Sequence, residues 1–153
     1  MYERKIWYWG SAVVIGAAAL LAYFVVVHAA TSRFIMAERT VQLEGYGLVV
    51  AVADTPLERE MGLSGTTDLV DREGMLFVFE EDAKHSFWMK EMNYPIDIIW
   101  ISADRKVVYI EKNVSPDSFP HSFTPPTPAR YVLEVPAGFS EWRGVRIGSE
   151  VTL

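Results

Sequence analysis

The sequence predicts a mainly β protein: a small, compact antiparallel barrel or sandwich with one or two short helices, preceded by a transmembrane helix at the N-terminus. Three observations carry that prediction. Residues 6–27 contain no charged side chain, a run as long as the roughly 20 residues a helix needs to cross a hydrocarbon core. From residue 74 onward, apolar runs of strand length recur between short turn-forming segments, the spacing of an antiparallel meander. The chain has no cysteine, so the domain stands on a hydrophobic core alone, which its size allows.

The N-terminal run sets the organisation. Arg4 and Lys5 precede it, and only His28, Arg33 and Arg39, mixed with Glu38, follow closely. This asymmetry favours a cytoplasmic N-terminus and an exported C-terminal domain, with Trp7, Tyr8 and Trp9 suited to the membrane interface. Val27-His28-Ala29 also resembles a small-residue cleavage site behind a basic start, so the segment is either an anchor or a cleaved signal sequence. The run is longer than a typical signal core of about 7–15 residues. Both readings place the domain outside the cytoplasm. The expected layout is residues 1–28 as anchor or signal sequence, 29–42 as linker and 43–153 as the exported β domain. Setting aside Glu3, Arg4 and Lys5, the chain carries 19 acidic against 12 basic residues. Such a surface repels nucleic acid and offers no polybasic strip for anionic lipid, so the membrane is reached through the N-terminal helix.

Within the domain, "GLVVAVA" (47–53) reads as a strand. "DTPLEREMGL" then supplies a helix start, with Thr55 as N-cap, Pro56 at the first helical position, Glu58 three residues after the cap and Gly62 as the stop. "GMLFVFE", "HSFWMK", "IDIIWIS" and "KVVYIEKNV" follow as strands. Prolines at 116, 120, 125, 126 and 128 exclude a central strand from the next stretch. "RYVLEVP" resumes the sheet, "AGFSEWRG" offers a helical turn and "VRIGSEVTL" returns through Gly148 to a last strand.

The stretches "VAVADTPLEREMGLSG", "EGMLFVF", "HSFWMK", "YPIDIIWI", "PARYVLEVPAGF" and "RIGSEV" resemble, in order, the family called domain of unknown function 192, also known as uncharacterised protein family 0127, over about residues 41–153. The resemblance implies a compact β-barrel-like fold with minor helices, often behind a signal sequence or membrane anchor, and no established biochemical activity. Many relatives carry "GLM" followed by arginine where this chain reads "GLSGTT", so no role of that arginine transfers.

The charges within the apolar stretch 85–100 are the candidate site. Alternation places Ser86, Trp88 and Lys90 on one side of their run and His85, Phe87 and Met89 on the other, while Asp97, Ile99 and Ile101 share a side of the next. Both sides of that second run are apolar, so Asp97 is expected to be partly buried, where a carboxylate is costly unless paired or hydrogen-bonded. Two readings follow. In one, Asp97 is a structural acid held by backbone amides or by a lysine, with Lys90 brought near by the connection "EMNYP". In the other, Lys90 and Asp97 stand at the rim of a ligand pocket floored by Trp88 and Met89 and bordered by His85, Glu91 and Tyr94. The proline-rich loop, with Phe119, His121 and Phe123, is either a recognition loop near that site or packing over the barrel mouth.

Catalytic signals are sparse. His85, Ser86 and Asp97 supply the residue types of a nucleophilic triad, but the nearest elbow, Gly62-Leu63-Ser64-Gly65-Thr66, lacks the second glycine of G-x-S-x-G. His85, His121, Asp117 and Glu91 lack metal-ligand spacing, so neither a metal nor another cofactor is expected. Carboxylate pairs for glycoside hydrolysis can be drawn from Glu91, Asp97 and Glu134, whose separation in space decides the matter. Glu134 alternates with Arg130, opposite Tyr131 and Leu133, and reads as a solvated strand face. The expected function is therefore binding of a small molecule, glycan or envelope partner without chemistry. One alternative is a hydrolase of envelope polymers with Asp97 or Glu91 as acid/base and His85 assisting. Another is a structural partner of a membrane complex, docking through Trp142 or Phe119.

Overall fold

The computed structural model describes residues 36–153. The anchor or signal sequence expected over residues 1–28 lies outside the described residues. Strand β1 (Ala37–Leu43) and strand β2 (Tyr46–Ala53) form a hairpin. Glu44 and Gly45 close it at φ 50° and 75°, the left-handed pair that matches the twist of a two-residue loop. Residues 37–42, read from sequence as linker, are thus strand. Residues 37–40 are exposed, so their apolar signal is thin and only pairing with β2 reveals them.

Helix α1 (Pro56–Met61) forms as the sequence predicts. The Thr55 hydroxyl accepts from the Glu58 amide at 3.3 Å, and the Glu58 carboxylate accepts from the Thr55 amide at 2.9 Å, a reciprocal pair that satisfies two helix-end donors. Gly62, at φ 48°, ends the helix and donates its N–H to the Glu58 carbonyl at 2.8 Å.

Helix α1 lies in the crossover from β2 to β3 (Glu73–Ala83), and these two strands pair in parallel, from Val49–Glu73 to Ala53–Phe77. The sheet is therefore not a pure antiparallel meander. The remaining elements are β4 (Phe87–Trp88), β5 (Ile96–Ile101), β6 (Val107–Val114), a 3-10 turn (Pro116–Ser118), β7 (Ser122–Phe123), β8 (Ala129–Pro136), helix α2 (Phe139–Trp142) and β9 (Val151–Thr152). Seven strands join in the order β6-β5-β8-β3-β2-β1-β9, while β4 and β7 form a separate two-stranded piece. The neighbour pairing that a meander implies fails for the runs within residues 85–101: β4 pairs with β7, and β5 pairs with β6 and β8.

The seven-stranded sheet curls into a half-barrel. Its outer strands approach at one end, where the backbones of Lys106 and Glu150 form an isolated antiparallel β-bridge and the Val107 amide donates to the Ser149 carbonyl at 2.9 Å. The concave face collects Val41, Leu48, Leu76, Ile99, Val107, Leu133 and Val151, one or more from each of the seven strands, with Phe139 of α2 packed among them. The opposite face of β3, β8 and β5 is also apolar. Phe77, Val132, Ile98 and Trp100 pack there against Leu63 and Met89, which lie outside the sheet.

Asp97 sits on the concave side, fully buried. Its carboxylate accepts backbone N–H groups from Asn113 at 2.8 Å, Gly138 at 3.1 Å and Ser140 at 2.8 Å. Asn113 and Gly138 reach these positions through left-handed backbone, at φ 51° and 85°. The carboxylate thus ties β5 to the end of β6 and the start of α2. This is the structural alternative of the sequence reading, with amides as partners and not Lys90, whose side chain is exposed. Replacing Asp97 by Asn removes one accepting oxygen and turns an NH2 toward donors. Asp97→Asn is expected to lower unfolding stability by about 3 kcal/mol, whereas Lys90→Ala stays within about 0.5 kcal/mol, both measured by urea denaturation.

Candidate functional site

A cavity of about 260 Å3 opens on the outer face of the sheet, between the α1 turn and the segment around β4. Its floor comes from the sheet. Phe77 on β3 and Glu134 on β8 line it, and Glu134 stands across from Met75 on one side and Ile98 on the other. Gly74 lets β3 come close here, because a Cβ at that position would lie 2.8 Å from the Glu134 carbonyl oxygen.

A bulge in β3 shapes one side. Register with β8 shifts between Val78 and Ala83, which frees the Val78 carbonyl to accept from the Arg59 guanidinium at 2.8 Å. Arg59 also donates to the Asp54 carbonyl and lies over the Phe79 ring, 5.2 Å from its centre. Phe79 stacks with His85 at 3.5 Å between centroids. Bulges of this kind re-aim side chains at the rim of a site.

The other side is a polar seam between two loops far apart in sequence. Ser64 donates its hydroxyl to the Lys90 carbonyl at 2.9 Å and the Gly65 amide donates to the Glu91 carbonyl at 2.8 Å. Asn93 donates to the Thr66 carbonyl at 2.7 Å, and the Thr66 and Tyr94 hydroxyls meet at 2.6 Å. Above, Phe87 packs edge-on against Phe77 at 4.8 Å and Trp100 at 5.9 Å. The Trp100 indole N–H donates to the His85 carbonyl at 2.8 Å, pinning the start of this cover to the sheet.

The structure brings together part of the predicted site. His85, Trp88 and Lys90 line the cavity. Glu91 and Tyr94 serve the seam beside it, Glu91 through its carbonyl at φ 56° and Tyr94 through its hydroxyl. Asp97 does not belong to it, because alternation along β5 turns its side chain to the concave face, away from Ile98. Met89 is buried in the outer-face core and is not the floor. In the proline-rich loop, Phe119 meets Trp88 edge-on at 6.2 Å and His121 meets Phe123 at 4.7 Å. Phe123 packs into the outer-face core, so this loop covers the outer face and not the barrel mouth.

Sequence reading missed the cavity's most unusual group. Glu134 is not on a solvated face: it is 4% exposed, because β8 lies in the middle of the sheet with both faces covered. Among the described residues no side chain or amide hydrogen-bonds its carboxyl, and burial alone pushes that group from 4.5 up to about 8. The available signal was Val132, two residues earlier on the same face in an apolar run. Burial also raises the nearby Tyr94 hydroxyl, against the lowering effect of its bond with Thr66. Among the described residues no cluster of His, Asp or Glu is arranged to hold a metal.

Fold and site together define a curled half-barrel β domain with an acid-floored cavity on its outer face. The chain belongs to the domain of unknown function 192 family (DUF192, uncharacterized ACR), whose model matches residues 24–153. Among solved structures it is similar to a Sinorhizobium meliloti 1021 protein provisionally described as a transcription regulator, at 32% identity and a TM-score of 0.73, over 76% of this chain and 94% of that one. It is also similar to a protein of unknown function from Novosphingobium aromaticivorans DSM 12444, at 30% identity and a TM-score of 0.72, over 77% of this chain and 86% of that one. Comparison with curated proteins gives no match.

A carboxyl whose folded value is raised keeps its proton in the native state while the unfolded chain releases it. The contribution of Glu134 to stability is therefore fullest below pH 4.5 and is lost as pH rises toward about 8, an amount on the order of 4 kcal/mol. Glu134→Gln, neutral throughout, is expected to remove that decline. Urea unfolding at pH 5 and pH 8 should show the variant gaining on the wild type as pH rises.

Proposed function

We propose that this domain binds a small molecule in the outer-face cavity, with Glu134 as the polar anchor and Phe77, Phe87 and Trp88 as the apolar walls. The single observation that carries the reading is a buried acid, without a hydrogen-bond partner among the described residues, facing a cavity of about 260 Å3. The cavity sets this acid among aromatic side chains and several polar ones, and a concave surface that offers both apolar contact and a few polar anchors suits a small ligand. A role without chemistry suits the arrangement better than hydrolysis. Asp97 is committed to three backbone amides on the other face, and Glu91 turns only its carbonyl to the seam.

Two further parts of the reading come from the sequence. The charge-free run over residues 6–27 and the basic residues before it support a tether or export signal that places the domain outside the cytoplasm. The acidic excess speaks against carrying over the regulator description of the Sinorhizobium relative as nucleic-acid binding.

The test is a small-molecule screen on the full chain, read as a rise in melting temperature. A compound present at 100 times its Kd is expected to add about 2.7 kcal/mol of stability. Ser64→Trp, which fills the cavity wall from a partly exposed position, should retain the fold and lose the response. Hits that stabilise Ser64→Trp equally would place binding elsewhere. For the tether, separation of cell membranes from soluble fractions should leave the full chain with membranes and a chain starting at residue 30 without them.

A further inference from the structure

We propose that the ligand of this cavity is uncharged and planar at its recognised end, presenting one hydrogen-bond donor beside one acceptor, as a primary amide or a lactam does, to the carboxyl of Glu134. This rests on the binding reading above and narrows it to a chemical class.

The argument begins with what Glu134 lacks. The side chain is 4% exposed, its remaining surface opens into the cavity, and no described residue donates to it or accepts from it. A neutral carboxyl carries an O–H donor and a C=O acceptor side by side. A ligand that fills the cavity closes off the surface that this carboxyl keeps there, and each group left unpaired then costs free energy. A ketone or an alcohol meets only part of that edge, whereas an amide or lactam meets both halves at once with two parallel hydrogen bonds.

Charge decides between this class and the others. Arg59 and Glu60 of α1, and His85 and Lys90 of the cover, line the cavity, and Tyr94 stands near Glu134. The flanking strands present Met75 and Ile98, both apolar. Arg59 is held by the Asp54 and Val78 carbonyls, and no ion pair among the described residues takes up Lys90. Glu134 is buried and no ion pair among the described residues includes it, which favours its neutral form, so a cation has to pass Arg59 and Lys90 and then ionise the floor. An anion attracted to those two groups can accept the O–H of the neutral acid at the floor but has no donor for its C=O. The neutral ligand faces neither penalty. The rings of Phe77 and Phe87, edge-on at 4.8 Å, offer walls for a flat group.

The test uses three matched probes with the full chain: 4-fluorobenzamide, 4-fluorobenzylamine and 4-fluorobenzoate, followed by fluorine NMR line broadening from pH 6 to 9. The benzamide is expected to bind best, with constant affinity below pH 7 and a loss approaching tenfold per pH unit above about 8. Glu134→Gln keeps a donor beside an acceptor, so it should hold the benzamide within about threefold and with no pH dependence. Glu134→Leu should weaken it at least tenfold, with circular dichroism confirming that both variants fold. If the benzylamine binds best, gains affinity up to pH 8 and is lost in Glu134→Gln, the inference is overturned while the cavity remains a binding site. Preference for the benzoate overturns it equally. If none of the probes broadens, or if Ser64→Trp leaves the broadening unchanged, the cavity reading falls together with the inference.

Discussion

Strands β3, β8 and β5 are apolar on both faces, and that double burial governs the rest of the molecule. One face is satisfied by curling the sheet, which brings side chains from all seven strands into a shared core. The other has no second sheet to meet. It is covered instead by the loop after α1 and by the segments around β4 and β7. A strand buried on two sides reads as a continuous apolar run, which is how "IDIIWI" and "YVLEV" appear in the sequence. A cover assembled from short pieces does not fill its contact as completely as a sheet would, and the cavity is the space it leaves.

The two buried acids show what that arrangement does to one kind of side chain. Asp97 points to the concave face near the ends of β6 and α2, where left-handed residues turn three amides toward it. Its charge is met by hydrogen bonds, and its work is to hold elements together. Glu134 points to the outer face between Met75 and Ile98, where the neighbours have nothing to donate. Its ionisation is opposed by burial alone, and it keeps an unmet hydrogen-bonding edge facing open space. A group whose ionisation is opposed by burial in a cleft is a candidate for a functional site.

The walls around Glu134 are held by backbone and short polar side chains, leaving the larger groups free for contact. Ser64, Gly65, Thr66 and Asn93 zip the two loops together, and the Arg59 guanidinium closes the β3 bulge. These hydrogen bonds fix the two loops beside the strand that carries Glu134.

The elements whose cause is local were legible in the sequence. The capping box of Thr55 and Glu58, the stop at Gly62, the strand runs and the helical turn at 139–142 follow from the residues in them, as does the family resemblance. That Asp97 needs partners was legible too, since its neighbours are apolar on both sides. Its particular partners were not, because Asn113 and Gly138 come from other elements and their amides carry no side-chain signal. The insertion of β8 between β3 and β5 was equally hidden, since strand order depends on pairings across dozens of residues. Glu134 was misread for that reason: alternation tells which residues share a face, but only neighbouring strands and the cover above them decide whether that face meets water. Local elements, the family resemblance and the two-sided burial of β5 could be read from the residues themselves; which acid is satisfied and which faces the cavity could not, because burial and hydrogen bonding are properties of what packs alongside a residue.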